Sequence, residues 1–139
     1  MNNESMCAHI VKKNDPIKHV VVLMMENQSF DRKLGAIKKM KPDFDGVDLA
    51  NPHFNLDNKG RKIFQKTTRA LQMPLDPLHD EPAVSQQLLN QNGGFVQNFM
   101  LNYPNSSAED RQGVMAYYPA GFLPATHALA AEYTVCDQS

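Results

Sequence analysis

A run of six consecutive apolar residues at positions 20–25 is the strongest hydrophobic feature of the chain. It opens with Val20, Val21 and Val22, which are β-branched. A short continuous run of this kind is typical of a strand buried on both faces, and such strands belong to mostly parallel α/β sheets. A buried helical segment is the competing interpretation, but three successive β-branched residues disfavour it. The pattern therefore predicts an α/β fold with a strand at residues 20–25.

The polar residues after this run predict a short helix and then a long irregular segment. Either Asn27 or Ser29 can cap a helix that ends near Gly35, a natural residue just beyond a helix terminus. Residues 36–70 are rich in Lys, Asn, Asp, Gly and Pro, and a small hairpin is expected around residues 58–60. Irregular segments of this length are often functional in compact domains.

A second helix is predicted to begin after Asp80, which stands at the N-cap position with Pro82 in the first turn. We expect this helix to continue to about Gln91, with Val84 and Leu88 on one face. The Asn-Gly-Gly sequence that follows is expected to end it.

The remaining pattern predicts two more helical segments, a loop and a strand. Phe95 and Phe99 are four residues apart, which indicates a short helix. Residues 102–113 are predicted to be a polar loop, and residues 124–132 to be a helix. A second strand is predicted at residues 133–136.

Composition restricts these elements to one ordinary globular domain. The chain has 139 residues, a formal net charge of −1, 42% hydrophobic residues and 21% charged residues. These values exclude fully disordered and collagen-like chains, and the length is sufficient for a core. No apolar run reaches the roughly 18 residues that a transmembrane segment needs. The balanced charge creates no field for a polyanion, so nucleic acid is not an expected partner.

The two ends of the chain give only weak signals. Residues 1–16 are expected to be a disordered or loosely attached lead-in, and residues 17–139 the folded portion. The lead-in lacks an apolar h-region, so no signal peptide is visible, and cytoplasmic retention and signal-independent secretion both stay open. Cys7 and Cys136 form no Cys-x-x-Cys motif, so we expect two free thiols.

The first candidate site residues are Glu26 and Asn27, which directly follow the predicted strand. In open α/β sheets, ligands bind outside the carboxyl ends of the strands. A carboxylate and an amide carbonyl are hard oxygen ligands suited to a divalent cation. The alternative is that Asn27 only caps the next helix while Glu26 is solvated.

His79 and Asp80 form the second candidate pair. Adjacent His and Asp side chains at a helix start can orient a phosphate or bind a metal. The alternative is an Asp N-cap beside a surface histidine, and the cap and site roles can coexist. His127 lies on an Ala-rich helical face and is expected to be a packed core or surface histidine rather than a ligand.

Taken together, four sequence blocks resemble the bacterial and plant phosphoesterase family, which contains non-specific phospholipases C and related acid phosphatases. The first is His-Val-Val-Val-Leu-Met-Met-Glu-Asn-Gln-Ser-Phe-Asp at residues 19–31, followed by Gly35. Asp-Pro-Leu-His-Asp at residues 76–80 and Asn-Gly-Gly at residues 92–94 resemble two later blocks in order and spacing. The fourth extends from Met115 to Asp137, so the resemblance covers nearly the whole chain.

This resemblance implies an alkaline-phosphatase-like α/β sandwich that hydrolyses phosphate esters at a divalent metal site. It implies that Glu26 and Asn27 are metal ligands, with Zn or Ca as the candidate ions. His79 and Asp80 would line the pocket and contact the phosphate or substrate. The expected substrate is a phospholipid or a small phosphate ester.

The chain also departs from the family pattern. Gln28 stands where the family usually has Arg, and Arg-Lys-Leu at residues 32–34 replaces the usual stretch before Gly35. The family's Ser or Thr nucleophile lies in a Gly-Pro-Thr or Gly-Pro-Ser loop shortly after the strand that ends at Cys136, and no such loop is present here. We therefore expect the N-terminal portion of an incomplete sandwich that supplies part of the site. The alternative is a truncated, catalytically inactive fragment without a nucleophile.

Overall fold

The computed structural model describes residues 16–24 and 28–137. Within these ranges the chain combines short helices with short strands, in agreement with a mixed α/β architecture. In chain order the elements are α1 (Phe30–Leu34), a 3₁₀ helix (Gly35–Lys39), β1 (Phe54–Leu56), β2 (Lys62–Phe64), β3 (Lys66–Thr67), α2 (Glu81–Gln87), α3 (Leu89–Asn92), α4 (Phe95–Asn102), α5 (Ala108–Val114), β4 (Ala116–Tyr117) and α6 (Pro124–Glu132).

The helix predicted after the apolar run is α1, and its cap is Ser29. The Ser29 hydroxyl accepts a hydrogen bond from the backbone N–H of Arg32 at 3.2 Å, which satisfies one of the free donors at the helix start. Gly35 does not end the helical path. Its φ of −53° is right-handed, and the chain continues as the 3₁₀ helix to Lys39.

The hairpin predicted around residues 58–60 is confirmed as the antiparallel pair β1–β2, in which Asn55 is opposite Ile63. Gly60 has a φ of +74°, a backbone region that glycine occupies without the cost that a Cβ would add. The buried Asp57 carboxylate accepts hydrogen bonds from Arg61 through its backbone N at 2.8 Å and its Nε at 2.7 Å. This carboxylate therefore sets the turn.

A second, parallel pair joins distant parts of the chain. In β3–β4, Lys66 is opposite Ala116 and Thr67 is opposite Tyr117. The backbone N–H of Thr68 extends the ladder by donating to the Tyr117 carbonyl at 2.8 Å. Each of the two sheets in the described ranges contains two strands.

The second predicted helix is confirmed as α2, with Asp80 as its N-cap, but it ends at Gln87 rather than near Gln91. Its buried face differs from the prediction by one residue. Ala83 and Gln87 are buried, whereas Val84 is only partly buried and Leu88 is 53% exposed. Helix α2 packs mainly against α4, and this contact determines which residues are covered.

The predicted polar loop at residues 102–113 is wrong in its second half, because helix α5 occupies Ala108–Val114. A capping box starts this helix: the Ser107 hydroxyl accepts from the Asp110 backbone N–H at 3.0 Å, and the Asp110 carboxylate accepts from the Ser107 N–H at 2.8 Å. The predicted helix at residues 124–132 is confirmed as α6.

The core lies between α1, the 3₁₀ helix and α6. Ile37, Phe44 and Ala130 form one buried cluster, against which partly buried apolar side chains pack. A second small cluster joins Ala36 and Val47 to Tyr117 of β4. The segment that carries the first sequence block is therefore anchored from its C-terminal side.

The two predicted strands are not formed. Residues 20–24 belong to no sheet, and their apolar side chains are 74% to 91% exposed, which contradicts a strand buried on both faces. Such a strand needs a neighbour on each side, and the strands in the described ranges are paired elsewhere. Residues 133–136 follow α6 without strand pairing, although Val135 packs against the Ile37 cluster.

Within the described ranges, no helix has the length and hydrophobicity that crossing a bilayer requires. Cys136 is a free, exposed cysteine, as predicted. The proposed lead-in before Pro16 and the residues Cys7, Met25, Glu26 and Asn27 lie outside the described residues.

Candidate functional site

The first candidate pair, Glu26 and Asn27, directly precedes the N-terminal end of α1. Gln28 is exposed, and Ser29 caps α1 immediately afterwards. The N-cap role left open between Asn27 and Ser29 therefore belongs to Ser29, so helix capping does not require the Asn27 side chain. The positions of the Glu26 and Asn27 side chains are outside the described residues.

The second candidate pair lies at the start of α2. The Asp80 Oδ1 accepts from the Ala83 backbone N–H at 2.9 Å, which confirms the capping role. Both Asp80 and His79 are exposed. Since the cap uses one carboxylate oxygen, the second oxygen and the His79 ring face solvent and remain available to a ligand.

A buried amide network holds the loop that carries this pair. Gln87 Nε2 donates to the Leu78 carbonyl at 2.7 Å and to Asn98 Oδ1 at 3.1 Å. Asn98 Nδ2 in turn donates to Gln86 Oε1 at 2.8 Å. Buried amide groups need such partners because unpaired ones are costly. The network therefore ties the residue just before His79 to both α2 and α4.

A left-handed turn leads into the Asn-Gly-Gly block and interrupts the segment labelled α3, between α2 and α4. Asn90, Gln91 and Asn92 have φ values of 54°, 59° and 65°, which is the left-handed region. Asn55 of β1 supports this turn from the side: its Nδ2 donates to the Asn92 carbonyl at 3.1 Å. The turn is thus held by a side chain from a distant hairpin.

Gly94 ends this turn at a point where two helices touch. A Cβ built there would lie 2.0 Å from the Gln86 carbonyl oxygen, which is backbone and cannot rotate away. The close approach of α4 to α2 therefore requires glycine at this position.

His127 is buried, at 2% exposure, and is fully engaged in hydrogen bonds. Its Nδ1 accepts from the Gly121 backbone N–H at 2.8 Å. This fixes the proton on Nε2, which donates to the Lys33 carbonyl at 2.7 Å. The prediction of a packed histidine is confirmed, and its role is to join α6 to the end of α1.

Asp31 is the titratable group with the clearest electrostatic perturbation near α1. Burial of its carboxyl raises its pKa above the usual value, and Asp45 adds to this effect. The hydrogen bond from Gln65 Nε2 to Asp31 Oδ2 at 3.1 Å opposes the rise. Desolvation outweighs the hydrogen bond, so the pKa of Asp31 lies above its ordinary value.

Asp137 lines an open cavity of about 400 Å³ beside the end of the chain. Its carboxylate accepts from the Asp45 backbone N–H at 2.8 Å. Lys41, on the same cavity wall, donates to the Tyr133 carbonyl at 3.0 Å. These polar groups therefore already have protein partners.

The structure does not gather the candidate residues into a metal centre within its described ranges. There, no group of three or more His, Cys, Asp or Glu side chains could hold a metal ion. His79 and Asp80 are thus at most two members of a larger site. The remaining candidates are Glu26 and Asn27, and their fit to a metal ion is judged from the atoms they offer. Their carboxylate and amide oxygens suit a hard divalent cation.

Sequence reasoning missed one charged residue, Arg32. It is only 7% exposed, and its guanidinium lies under the segment that connects β3 to α2. The only signal was that Arg-Lys-Leu replaces the usual family residues before Gly35. That departure gave no indication of burial.

Comparison with known proteins identifies the family of this chain. Residues 17–139 match the Phosphoesterase family, and the chain belongs to that family. It is similar to plant non-specific phospholipases C. The Arabidopsis thaliana protein named non-specific phospholipase C1 is 32% identical over 133 residues, which cover 91% of this chain and 25% of the relative.

Two other Arabidopsis thaliana relatives give the same picture. Non-specific phospholipase C3 is 31% identical over 140 residues, covering 88% of this chain and 26% of the relative. Non-specific phospholipase C6 is 32% identical over 132 residues, covering 88% of this chain and 24% of the relative. The chain therefore spans about a quarter of the length of these curated relatives.

Proposed function

We propose that this chain supplies part of the active site of a phospholipase C-like phosphoester hydrolase with an alkaline-phosphatase-like sandwich fold. The observation that carries the proposal is the family match over residues 17–139. The mixed helices and small sheets support an α/β class. The names of the plant relatives favour a phospholipid-type substrate, and a soluble phosphate ester is the other candidate.

In this proposal Glu26 and Asn27 hold a divalent cation, either Zn or Ca. Their oxygens have the right chemistry, and the capped start of α1 fixes the chain directly after them. When bound, the cation would supply positive charge to the phosphoryl oxygens. Glu26 and Asn27 would hold the cation, and the adjacent exposed Gln28 amide can donate a hydrogen bond to a phosphoryl oxygen.

His79 and Asp80 are proposed to contact the substrate. The Asp80 cap leaves one carboxylate oxygen exposed beside the His79 ring. A histidine can donate to a phosphate oxygen, and the neighbouring carboxylate can orient the ring or accept from a substrate hydroxyl. The Gln87 network holds this loop in place, so the pair is presented on a fixed support.

A second candidate is a chain that binds metal or substrate without turning it over. His79 and Asp80, the candidate pair within the described ranges, offer contacts to a substrate but no Ser or Thr nucleophile, which supports this alternative. Phosphoryl transfer needs both charge stabilisation and a positioned nucleophile. Binding and turnover therefore have to be measured separately.

The test is calorimetric titration of the full 139-residue chain with Zn²⁺ and with Ca²⁺, followed by turnover assays. We expect Glu26→Ala and Asn27→Ala each to weaken metal binding about tenfold or more. Glu132→Ala, at an exposed position in α6, is the matched control and should bind normally. Metal binding that Glu26→Ala leaves unchanged would contradict the assignment of the ligands.

The turnover assay uses p-nitrophenyl phosphorylcholine as a diester and p-nitrophenyl phosphate as a monoester. Metal-dependent hydrolysis that is lost in Glu26→Ala would support the hydrolase. Faster hydrolysis of the diester would indicate a phospholipase-like specificity, and faster hydrolysis of the monoester a phosphatase-like one. Metal binding without hydrolysis of either would favour the second candidate.

A further inference from the structure

Within the described residues, the hydrogen bonds of the buried Arg32 guanidinium all go to neutral groups. Nη1 donates to the Gly113 carbonyl at 3.1 Å and to the Met73 sulfur at 3.4 Å. Nη2 donates to the Ala70 carbonyl at 3.4 Å. Nε is buried and has no hydrogen-bond partner. The long bond from Nη2 and the unpaired Nε–H therefore leave part of the donor capacity of this guanidinium unused.

Within the described ranges, no carboxylate pairs with Arg32, so its positive charge is uncompensated there. The arginine that does form an ion pair in these ranges is Arg61, whose partner is Asp57 at 2.7 Å. Arginine stays charged in proteins, so it cannot relieve burial by losing its proton. Buried charges are normally paired because desolvation is costly. An uncompensated buried guanidinium is therefore a group that an anion can stabilise.

A second arginine shares the aromatic support of the first. The Arg32 guanidinium lies 5.2 Å from the Tyr118 ring centre, and the Tyr118 and Phe122 rings lie 5.2 Å apart. The Arg69 guanidinium lies 5.4 Å from the Phe122 ring centre. Two cations thus rest on one pair of rings. Arg32 is buried and Arg69 is exposed, and neither has a carboxylate partner in the described part of the chain.

The cover over Arg32 is thin and weakly held. The Ala70 carbonyl accepts the long bond from Arg32 and a second one from the Tyr118 hydroxyl at 3.3 Å. Ala70, Leu71 and Gln72 are all exposed, and Leu71 keeps 67% of its surface in solvent. Displacing this segment would break these two long bonds and the bond from the Ala70 backbone N–H to Thr68 Oγ1 at 3.1 Å. The segment itself buries little apolar surface.

We propose that Arg32 and Arg69 form a metal-independent subsite for a phosphate group, reached by displacement of residues 70–72. Two positive charges favour a doubly charged tetrahedral oxyanion, and the planar guanidinium of Arg32 can donate to two of its oxygens through Nε and one Nη. The oxyanion takes over the donors now aimed at Ala70 and Met73. This subsite does not depend on Glu26 or Asn27, and it stands whether or not the chain is a hydrolase.

The test records the arginine Nε–Hε correlation spectrum of the full chain in EDTA while inorganic phosphate is added. We expect the Arg32 and Arg69 signals to move with saturation, and the signal of the ion-paired Arg61 to stay in place. Sodium chloride of equal ionic strength should reproduce none of the movement. Arg69→Ala should weaken phosphate binding about tenfold through the loss of one charged contact, while Arg61→Ala should not.

The same spectrum separates two sources of the phosphate group. Tighter binding of short-chain phosphatidic acid than of inorganic phosphate would assign the subsite to a lipid headgroup, whereas equal affinity would assign it to soluble phosphate. Immobile Arg32 and Arg69 signals, movement that chloride reproduces, or undiminished binding by Arg69→Ala would each overturn the proposal. Arg69 is exposed, so its substitution leaves the core intact and the test does not depend on the folding of an Arg32 variant.

Discussion

Asn55 and Val96 are 41 positions apart, yet the Asn55 Oδ1 accepts the Val96 backbone N–H at 3.2 Å. Val96 belongs to the first turn of α4, whose N-cap residue, Gly94, has no side chain to bond these donors. Asn55 therefore caps a helix from another part of the chain, and its Nδ2 holds the Asn92 carbonyl at the same time. One buried amide joins the hairpin to the left-handed turn.

Asn55→Ala is expected to destabilise the chain by about 1–3 kcal/mol, because it removes the partner of the buried Val96 N–H and of the Asn92 carbonyl. Urea unfolding followed by far-ultraviolet circular dichroism measures the loss. Asn58→Ala, at an exposed position in the hairpin turn, is the matched control. Equal stability of the two variants would show that the Asn55 cap contributes nothing to the free energy of unfolding.

Gly94→Ala is expected to destabilise by about 1–3 kcal/mol through overpacking, since the new Cβ meets backbone atoms of Gln86 and Gln87. Gly60→Ala separates this effect from backbone strain. Gly60 has a φ of +74° but nothing within 4 Å of a built Cβ, so its substitution costs only the left-handed conformation, about 1–2 kcal/mol.

The amide signals of the two glycine variants distinguish the two effects more sharply than their stabilities do. Gly94→Ala should broaden or shift the amide signals of α2 and α4, because the helices must separate. Gly60→Ala should affect only the hairpin. Unchanged α2 signals in Gly94→Ala would contradict the close contact between the helices.

His127→Leu is expected to cost about 1–3 kcal/mol, because the Gly121 N–H and the Lys33 carbonyl both lose their hydrogen bond to the buried imidazole. His53→Leu, on an exposed histidine, should change stability little and serves as the control. Nitrogen chemical shifts of the imidazole ring provide an independent check. They should show a neutral ring with the proton on Nε2, and a proton on Nδ1 would refute the assigned hydrogen bonds.

The contributions of Asp31 and Asp57 to the stability of the fold are expected to change with pH in opposite directions. Burial raises the pKa of Asp57, but hydrogen bonds from Arg61 and Lys59 outweigh it and leave the pKa below the usual 3.8. Its stabilisation is therefore present above about pH 4 and is lost as the pH falls through the native pKa. Asp57→Asn should flatten the loss of stability in acid.

For Asp31 the sign is reversed, since its native pKa lies above 3.8. Its stabilising contribution is present below that value and is lost as the pH rises through the native pKa. Asp31→Asn should consequently raise the melting temperature at pH 7 and leave it nearly unchanged at pH 3. A lower melting temperature at pH 7 would contradict the raised pKa.

The features that the sequence predicted correctly are those with local causes. Asp80 and Ser29 can form their caps with residues three positions away, so spacing alone is sufficient. The same reasoning was open to the Ser107 and Asp110 pair. That helix was missed because the surrounding polar composition was given more weight than the capping motif.

The features that the sequence did not predict have distant causes. Burial of Arg32 depends on Ala70, Met73 and Gly113, which are 38, 41 and 81 positions away. Likewise, the apolar run at residues 20–24 has strand character, but strand formation requires neighbouring strands that the described part of the chain does not place beside it. Composition along a segment carries no information about either relationship.

The parallel pair β3–β4 has a consequence for the order of folding. Pairing Lys66 with Ala116 closes a loop of about fifty residues that contains α2 to α5. Closing so large a loop costs more entropy than forming the local contacts between successive helices. In pulse-labelling hydrogen exchange, the amides of α4 should therefore become protected before that of Thr68, whose bond to the Tyr117 carbonyl completes the ladder. We therefore expect the helices within the loop to form first and the small sheet to form last.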